Sequence, residues 1–399
     1  MATGVGANRL PTRLAPVPLI NPLVERMQGF GTTIFAEMSA LAVATDSVNL
    51  GQGFPDTDGP QELLDAAVDA LRTGQNQYPP GPGIPALRQA ISDHQRRCYG
   101  LDYDPGTEVL VTAGATEAIA AALMALVGPG DEVVLFEPYY DSYAACVALA
   151  GAQRRTVTLE RDGDGWGFDA AALERAVGPH TKVLLLNSPH NPTGTVFGPD
   201  ELAAVADVAI RHDLVVIADE VYEHLLFDGR VHTPIATLPG LRERTITVSS
   251  AGKTFSVTGW KIGWACAPPR LLSAVRTVKQ FLTYVNGAPF QPAVAHALVT
   301  AETTAPRAAL QAQRDLLCDG LAALGYDVIR PEATYFATVD VGTDGIGFCR
   351  ALPSRAGVVA IPSRVFYDSS AGDNYVRFAF CKRPDVIHEA LRRLAGGAA

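Results

Sequence analysis

No cysteine pair in this chain has Cys-x-x-Cys spacing. Its six cysteines (Cys98, Cys146, Cys266, Cys318, Cys349 and Cys381) are scattered, with no Cys/His spacing that suits zinc. No metal site is therefore expected, and such dilute usage fits a reducing cytoplasm better than a disulfide framework. Long apolar runs are also missing. The longest, Ala118 to Val127, spans about ten residues, half of what a membrane-crossing helix needs. The N-terminal stretch has Arg9 and Arg13 but no continuous apolar segment of a signal peptide, because Pro11, Pro16, Pro18 and Pro22 interrupt it. Positive charge is in deficit: 32 Lys and Arg against 42 Asp and Glu leave a net charge of −10. That balance sets aside nucleic acid or a membrane surface as the main partner. What abounds is apolar residues, 48% of 399, ample for two or three domains with real cores and too many for disorder.

Residues 1–20 are rich in Pro, Gly and Ala and read as a flexible arm. Beyond Glu62, five short runs have the near-continuous Val/Ile/Leu character of strands buried on both faces: Glu108–Thr112, Glu132–Phe136, Lys182–Leu186, Leu214–Ala218 and Thr245–Ser249. Helical patterns separate them, among them Glu117 to Val127 and the start signal Pro199-Asp-Glu-Leu. This alternation predicts an α/β domain with a parallel sheet between helices, and such sheets bind ligands beyond the carboxyl ends of their strands. The texture changes near residue 285. A helical stretch from Pro306 to Leu324 precedes strand-like Thr334–Val339, Val358–Ile361 and Tyr375–Phe380, then an amphipathic helix, Pro384 to Leu394. These read as a smaller α+β domain. The expected division is an arm over 1–20, a segment over 21–50 packing with the small domain, a large domain over 51–285 and a small domain over 286–399.

The most informative stretch is Ser249-Ser-Ala-Gly-Lys-Thr-Phe-Ser-Val-Thr-Gly-Trp-Lys-Ile-Gly-Trp264. Its Gly-Lys-Thr is not a nucleotide-binding loop, because the required earlier glycine falls on Thr247, inside a predicted strand. Other motifs stand in order around it: Asn49-Leu-Gly-Gln-Gly-Phe54, Asn76-Gln-Tyr-Pro-Pro-Gly81, Gly114-Ala-Thr116, Glu137-Pro-Tyr-Tyr-Asp-Ser-Tyr143, Asn187-Ser-Pro-His-Asn-Pro-Thr-Gly194, Asp219-Glu-Val-Tyr222 and Tyr375-Val-Arg-Phe378. Taken singly, each has a bland reading: a turn cluster, a helix start, a capping aspartate, a solvated lysine. The Gly-x-Gly at 51–53 is no dinucleotide site, since Pro55 follows and no helix opens there.

As an ordered set, from about Phe35 to Lys382, they resemble the fold-type I, class I/II pyridoxal-phosphate aminotransferases. The nearest branch holds kynurenine and glutamine transaminases, methionine aminotransferases and actinobacterial N-succinyldiaminopimelate aminotransferases. The resemblance implies a mostly parallel seven-stranded sheet in the large domain, pyridoxal 5'-phosphate as cofactor, and a transaminase acting on an L-amino acid and a 2-oxo acid in a ping-pong cycle. It makes Lys253 the Schiff-base lysine and proton carrier, Asp219 the partner of the pyridine nitrogen, and Tyr222 with Asn191 the hydrogen-bond donors to the ring oxygen. Tyr140 matches the aromatic stacked on the ring; Tyr139 beside it could be confused with it, and one of the pair is expected only to pack. The phosphate falls to the amides of Ala115 and Thr116, to Ser250 and Lys261, and to Tyr78 from the other subunit of a homodimer. Arg377 and Gly53 match the contacts to the substrate carboxylate, Asn187 lies near substrate, and Phe35 forms an apolar wall. Asn191–Pro192 and Glu137–Pro138 are expected as cis peptides. His190 alone is no metal site.

Side-chain selectivity is where the sequence departs from relatives. Phe35 replaces a tryptophan of kynurenine transaminases, Thr116 an aromatic, and Asn286 and Gly287 stand where those enzymes have aromatic residues or histidine. A roomier or more polar pocket is the expectation. A carbon–sulfur β-lyase on the same scaffold is the competing chemistry. A cofactor-sensing regulator would need a basic DNA-binding module, for which the 20 to 30 residues before the resemblance leave no room.

Overall fold

Strands without a polar face are stable only where helices cover both sides of their sheet, and that is how the computed structural model arranges them. It describes residues 22–31, 33–163 and 165–397. The expected arm over residues 1–20 lies outside the described residues. The central sheet has seven strands: β1 (Val109–Thr112), β2 (Glu132–Glu137), β3 (Gln153–Thr158), β4 (Thr181–Asn187), β5 (Val215–Asp219), β6 (Thr245–Ser250) and β7 (Gly263–Cys266). Their order is β1-β7-β6-β5-β4-β2-β3. Neighbours pair in parallel except at β7, which runs antiparallel to both β1 and β6.

Five of these strands coincide with the five predicted runs. The other two carry no such signal. β3 (Gln-Arg-Arg-Thr-Val-Thr) is a sheet edge whose first three residues are exposed, so burial left no apolar pattern. β7 (Gly-Trp-Ala-Cys) is fully buried but short and lacks β-branched residues.

One face of the sheet is covered by helices Gly114–Leu126, Asp141–Ala150 and Pro269–Leu282, with Ala118, Val147 and Val275 packed against Val133, Ile217 and Val248. On the other face, Pro199–Arg211 packs Leu202 and Val205 against Val134, Leu184 and Val216. Helices Gln61–Arg72, Pro85–Tyr99 and Phe290–Thr300 form a third cluster, in which Leu63, Ile91 and Val294 meet Val111, Trp264 and Cys266.

The chain then runs through helix Thr304–Ala323 into an antiparallel sheet of β8 (Asp327–Ile329), β9 (Phe336–Asp340), β10 (Ile361–Pro362) and β11 (Tyr375–Ala379), in the order β8-β9-β11-β10. Helices Gly345–Ala356 and Pro384–Gly397 cover it. The N-terminal helix Ile34–Ala44 joins this second layer: Met38 and Leu50 share a cluster with Leu352, Phe378 and Leu394, and Val48–Asn49 pairs in parallel with Val358–Val359. Among the described residues no helix is long and apolar enough to cross a membrane. β4, β5 and β6 all end at the same edge of the large sheet, in Asn187, Asp219 and Ser250, and Arg377 reaches that edge from β11.

Candidate active site

Every residue expected from the sequence to contact cofactor or substrate, Tyr78 excepted, borders one cavity of about 310 Å3 at this edge. Strand register explains the convergence. Asn187 and Asp219 are partners across β4 and β5, Asp219 faces Val248 on β6, and Ser250 is paired through Gly263 with Thr112, just before the helix at Gly114.

Lys253 lies in the single-turn helix Ala251–Thr254 that leaves β6. Its amine donates to the Gly53 carbonyl at 3.3 Å and sits 5.4 Å and 5.2 Å from the ring centres of Tyr222 and Tyr335. The Tyr335 hydroxyl donates to the Lys253 carbonyl at 3.0 Å, pinning the turn. No described carboxylate forms a salt bridge with this amine. Desolvation lowers its pKa from 10.5 to about 8, aided by the positive charges of Arg377 and Lys261 and opposed by Asp219.

Asp219 is 4% exposed. Burial raises its pKa, while hydrogen bonds from the Tyr143 hydroxyl (2.6 Å) and the Val221 amide (3.3 Å) and the Lys253 charge act the other way. Tyr143 stood in the Glu137–Tyr143 motif but drew no role from sequence; only its fold across to Asp219 reveals it. Asn187 is committed to the backbone, its amide donating to the Asp219 and Pro189 carbonyls and its oxygen accepting from the Asn191 amide at 2.8 Å. It therefore shapes the loop that presents Asn191. Asn191–Pro192 and Glu137–Pro138 are cis, as is Ser188–Pro189, which the sequence did not single out. His190 is buried against Phe197 and bonded to Thr193, and burial lowers its pKa to about 3.

Across the cavity, helix Gly114–Leu126 opens with no side-chain cap. The Glu117 carboxylate instead accepts from Ala113 and Thr283, which leaves the Ala115 and Thr116 amides at the cavity wall. Ser250 and Lys261 border the same corner. Gly114 has φ +76°, and a Cβ there would lie 3.0 Å from Lys261 Nζ. A Cβ on Gly263 would lie 2.7 Å from the Ala115 nitrogen, so two glycines keep this corner open. Open amides at a helix start with a lysine beside them form an anion site.

Arg377 is 2% exposed and has no salt bridge with a described carboxylate. It donates to the Gly51 carbonyl at 3.1 Å and to the Asn191 side-chain oxygen at 3.4 Å, and its Nε has no partner. Its guanidinium carbon lies 3.9 Å, 4.9 Å and 5.3 Å from the ring centres of Phe336, Phe366 and Phe35. Desolvation pulls its pKa down to about 10. A buried guanidinium in an aromatic cage with spare donors fits an incoming carboxylate. Gly53 is part of that cage, because a Cβ there would lie 2.3 Å from the Phe336 ring. Tyr140 borders the cavity, with its hydroxyl pKa raised to about 12 by burial. Tyr139 is packing, buried and donating to Asp368 at 2.6 Å. Neither Asn286 nor Gly287 borders the cavity. The Asn286 amide donates to the Thr112 and Lys261 carbonyls, so the expected polar enlargement of the pocket by these two residues is absent from this chain's cavity. Tyr78 stands apart, 80% exposed, its ring edge-on to Tyr284.

A depressed amine, a buried carboxylate and an open anion corner in one cavity fit pyridoxal phosphate, and the orphaned Arg377 Nε fits the carboxylate of an amino acid beside it. The family model for class I and II aminotransferases matches residues 45–394. A Mycobacterium tuberculosis protein named "Probable N-succinyldiaminopimelate aminotransferase DapC" is 55% identical over 387 residues, covering 93% of this chain and 98% of its own. A solved N-succinyldiaminopimelate aminotransferase from M. tuberculosis superposes with a TM-score of 0.92 at 56% identity, covering 94% of this chain and all of its own. The methionine aminotransferase of Escherichia coli is 39% identical, covering 94% of this chain and 98% of its own.

The depressed amine of Lys253 leads to a pH dependence. In the window between about 8 and 10.5 the unfolded chain binds a proton that the folded chain does not, so this group's share of stability rises with pH there. The rate at which Lys253 of the cofactor-free protein reacts with an aldehyde should climb through pH 7, reach half its plateau near pH 8 and level off above about pH 9. A pH–rate profile still climbing at pH 10 would mean an ordinary, solvated lysine.

Proposed function

The chain belongs to the class I and II aminotransferases, and from that premise we propose that its substrate is N-succinyldiaminopimelate. Its activity is transfer of an amino group between an L-amino acid and a 2-oxo acid, with pyridoxal 5'-phosphate as cofactor. The observation that carries the substrate is the 55% identity, over nearly the full length of both chains, to the M. tuberculosis protein of that name.

Lys253, Asp219, Tyr222, Asn191 and Tyr140 would hold the cofactor ring, and Ala115, Thr116, Ser250 and Lys261 its phosphate. When bound, the cofactor supplies an electrophilic carbon and a ring that withdraws electrons from the substrate's Cα. The rest is the work of the chain. Arg377 binds the α-carboxylate and so fixes which substituent of Cα faces Lys253. The Lys253 amine, neutral in a large fraction of molecules near pH 8, would take the proton from the substrate's Cα and hand it to the cofactor carbon that carries the transferred nitrogen. Asp219, with Tyr143 donating to it, presents its carboxyl group at the end of β5, where it would pair with the cofactor's ring nitrogen. Phe35, Phe336 and Phe366 exclude water from the carboxylate corner.

A donor panel of N-succinyldiaminopimelate, methionine, glutamine, kynurenine and a cysteine conjugate, each with 2-oxoglutarate, tests the substrate. The first should have a kcat/KM at least roughly tenfold above the others, a difference of about 1.4 kcal/mol. Faster methionine or kynurenine turnover overturns the assignment, and pyruvate release from the conjugate would favour a lyase. Arg377→Lys should raise KM for the amino donor and the oxo acid alike by roughly tenfold or more, since both half-reactions present the same carboxylate. An effect on only one of them would remove Arg377 from this role.

We also propose a cytoplasmic homodimer in which Tyr78 completes the phosphate corner of the partner subunit. Tyr78, Tyr284 and Phe281 are large, exposed aromatics on the same part of the surface, which favours burial against a second copy. Sedimentation should show a dimer at micromolar concentration, and Tyr78→Phe should weaken cofactor retention without dissociating it. A fully active monomer contradicts this reading.

A further inference from the structure

Asp219, Val221 and Tyr222 border the cavity, but their neighbours in this segment do not. Glu220, Glu223 and His224 all lie off the cavity wall. Helix Pro85–Tyr99 runs beside this segment, with His94 and Cys98 four residues apart and hence on one face. The side-chain ligand atoms of His94, Cys98 and His224 lie within 4.8 Å of one another, the only such His/Cys/Asp/Glu group among the described residues. His94 Nε2 and His224 Nε2 are 2.7 Å apart, so the pair shares a single proton between two lone pairs. His94 is 3% exposed, whereas Cys98 is exposed and gives a route from solvent.

We propose that His94, Cys98 and His224 form a binding site for a zinc-class divalent metal ion, with water as the fourth ligand. Two imidazoles and a thiolate are a donor set of the kind zinc takes in tetrahedral sites, at about 2.0 to 2.3 Å. The two nitrogens need only move apart by less than about 1 Å to reach tetrahedral separation. Charge also balances. The Cys98 thiolate and the buried Glu223, whose charge acts on His94, His224 and Cys98, together offset a dication. Glu223 is itself anchored, accepting from the Ser249 hydroxyl at 2.5 Å. Among the described residues, Arg97 is a cation that acts on both His94 and Cys98. Burial and Glu223 raise the Cys98 thiol's pKa and Arg97 opposes them, so the thiolate would form on binding the ion; the Arg97 guanidinium is tied to the Leu298 carbonyl at 2.9 Å. Because His224 follows Tyr222 by two residues, the ion would clamp the segment carrying Asp219 and Tyr222 to helix Pro85–Tyr99. The site is independent of the substrate assignment.

The test uses holoenzyme stripped of metal by chelator and freed of unbound cofactor and amino acids. Titration calorimetry with zinc chloride should give one ion per chain, and zinc should raise the melting temperature. Cobalt(II) should give visible d–d bands plus a near-ultraviolet thiolate charge-transfer band. Cys98→Ser, at an exposed position that does not threaten folding, should abolish the thiolate band. His224→Gln should weaken zinc by roughly tenfold or more and remove the thermal shift. His296→Gln, an exposed histidine elsewhere, should change nothing. Zinc affinity equal in the parent, Cys98→Ser and His224→Gln overturns the proposal, as does absence of a thiolate band with cobalt.

Discussion

Two cations, Lys253 and Arg377, are held in one water-poor cavity with no salt bridge to a described carboxylate, and much of the surrounding structure serves to make that tolerable. Isolated charges lose several kcal/mol of hydration on burial unless other groups replace the water. For Arg377 the substitutes are three phenyl rings, the Gly51 carbonyl and the Asn191 oxygen. For Lys253 they are the Gly53 carbonyl and two tyrosine rings. These partners are weaker than an ion pair, so a bound anion would offset part of the cost of burying the two charges. Anionic cofactors and substrates should thereby stabilise the fold as well as react in it, because whatever binds only the folded state adds to its stability.

This constraint reaches into the backbone. Gly53 cannot carry a Cβ because Phe336 must come close to Arg377, Gly263 cannot because the helix start must lie against β7, and Gly114 turns at φ +76° with the Lys261 side chain beside it. The Asn187–Asp219 register pair places a neutral amide beside a carboxylate, and that amide spends both its donors on carbonyls so that Asn191 points at Arg377. Glu117 replaces a side-chain cap by bonding Ala113 and Thr283, which frees the next two amides. Each device is local, yet each would be purposeless without the charges it serves.

The parts of this arrangement legible in the sequence were those whose physics is local. β1, β2, β4, β5 and β6 announce themselves because burial on both faces demands unbroken apolar runs. β3 is hidden because an edge strand is half solvated, and β7 because it is four residues long, without a β-branched residue, and begins inside a functional motif. The motif residues could be placed on one cavity because strand ends must share an edge. Tyr143 escaped notice, since its partner Asp219 is 76 residues away. So did the His94–Cys98–His224 group, because i,i+4 spacing on a helix gains meaning only when a residue 130 positions from His94 folds onto it.

Burial acts alike on Lys253 and Arg377, but the two side chains emerge with different capacities. Desolvation is the leading cause for both, bringing the lysine to about 8 and the arginine to about 10. A guanidinium starting at 12.5 remains charged after such a loss, so Arg377 is a permanent anchor for a carboxylate. An ammonium starting at 10.5 arrives where gaining and losing a proton cost nearly the same near neutral pH, which is the condition for efficient proton transfer. The common low-dielectric environment thus separates anchor from proton carrier through their intrinsic acidities alone. Exchanging the two residue types would lose both properties, because a lysine at 377 would discharge readily and an arginine at 253 would not discharge at all. The nearby positive charge of Lys261 sharpens the division, since it lowers the Lys253 pKa further while itself standing exposed at the anion corner.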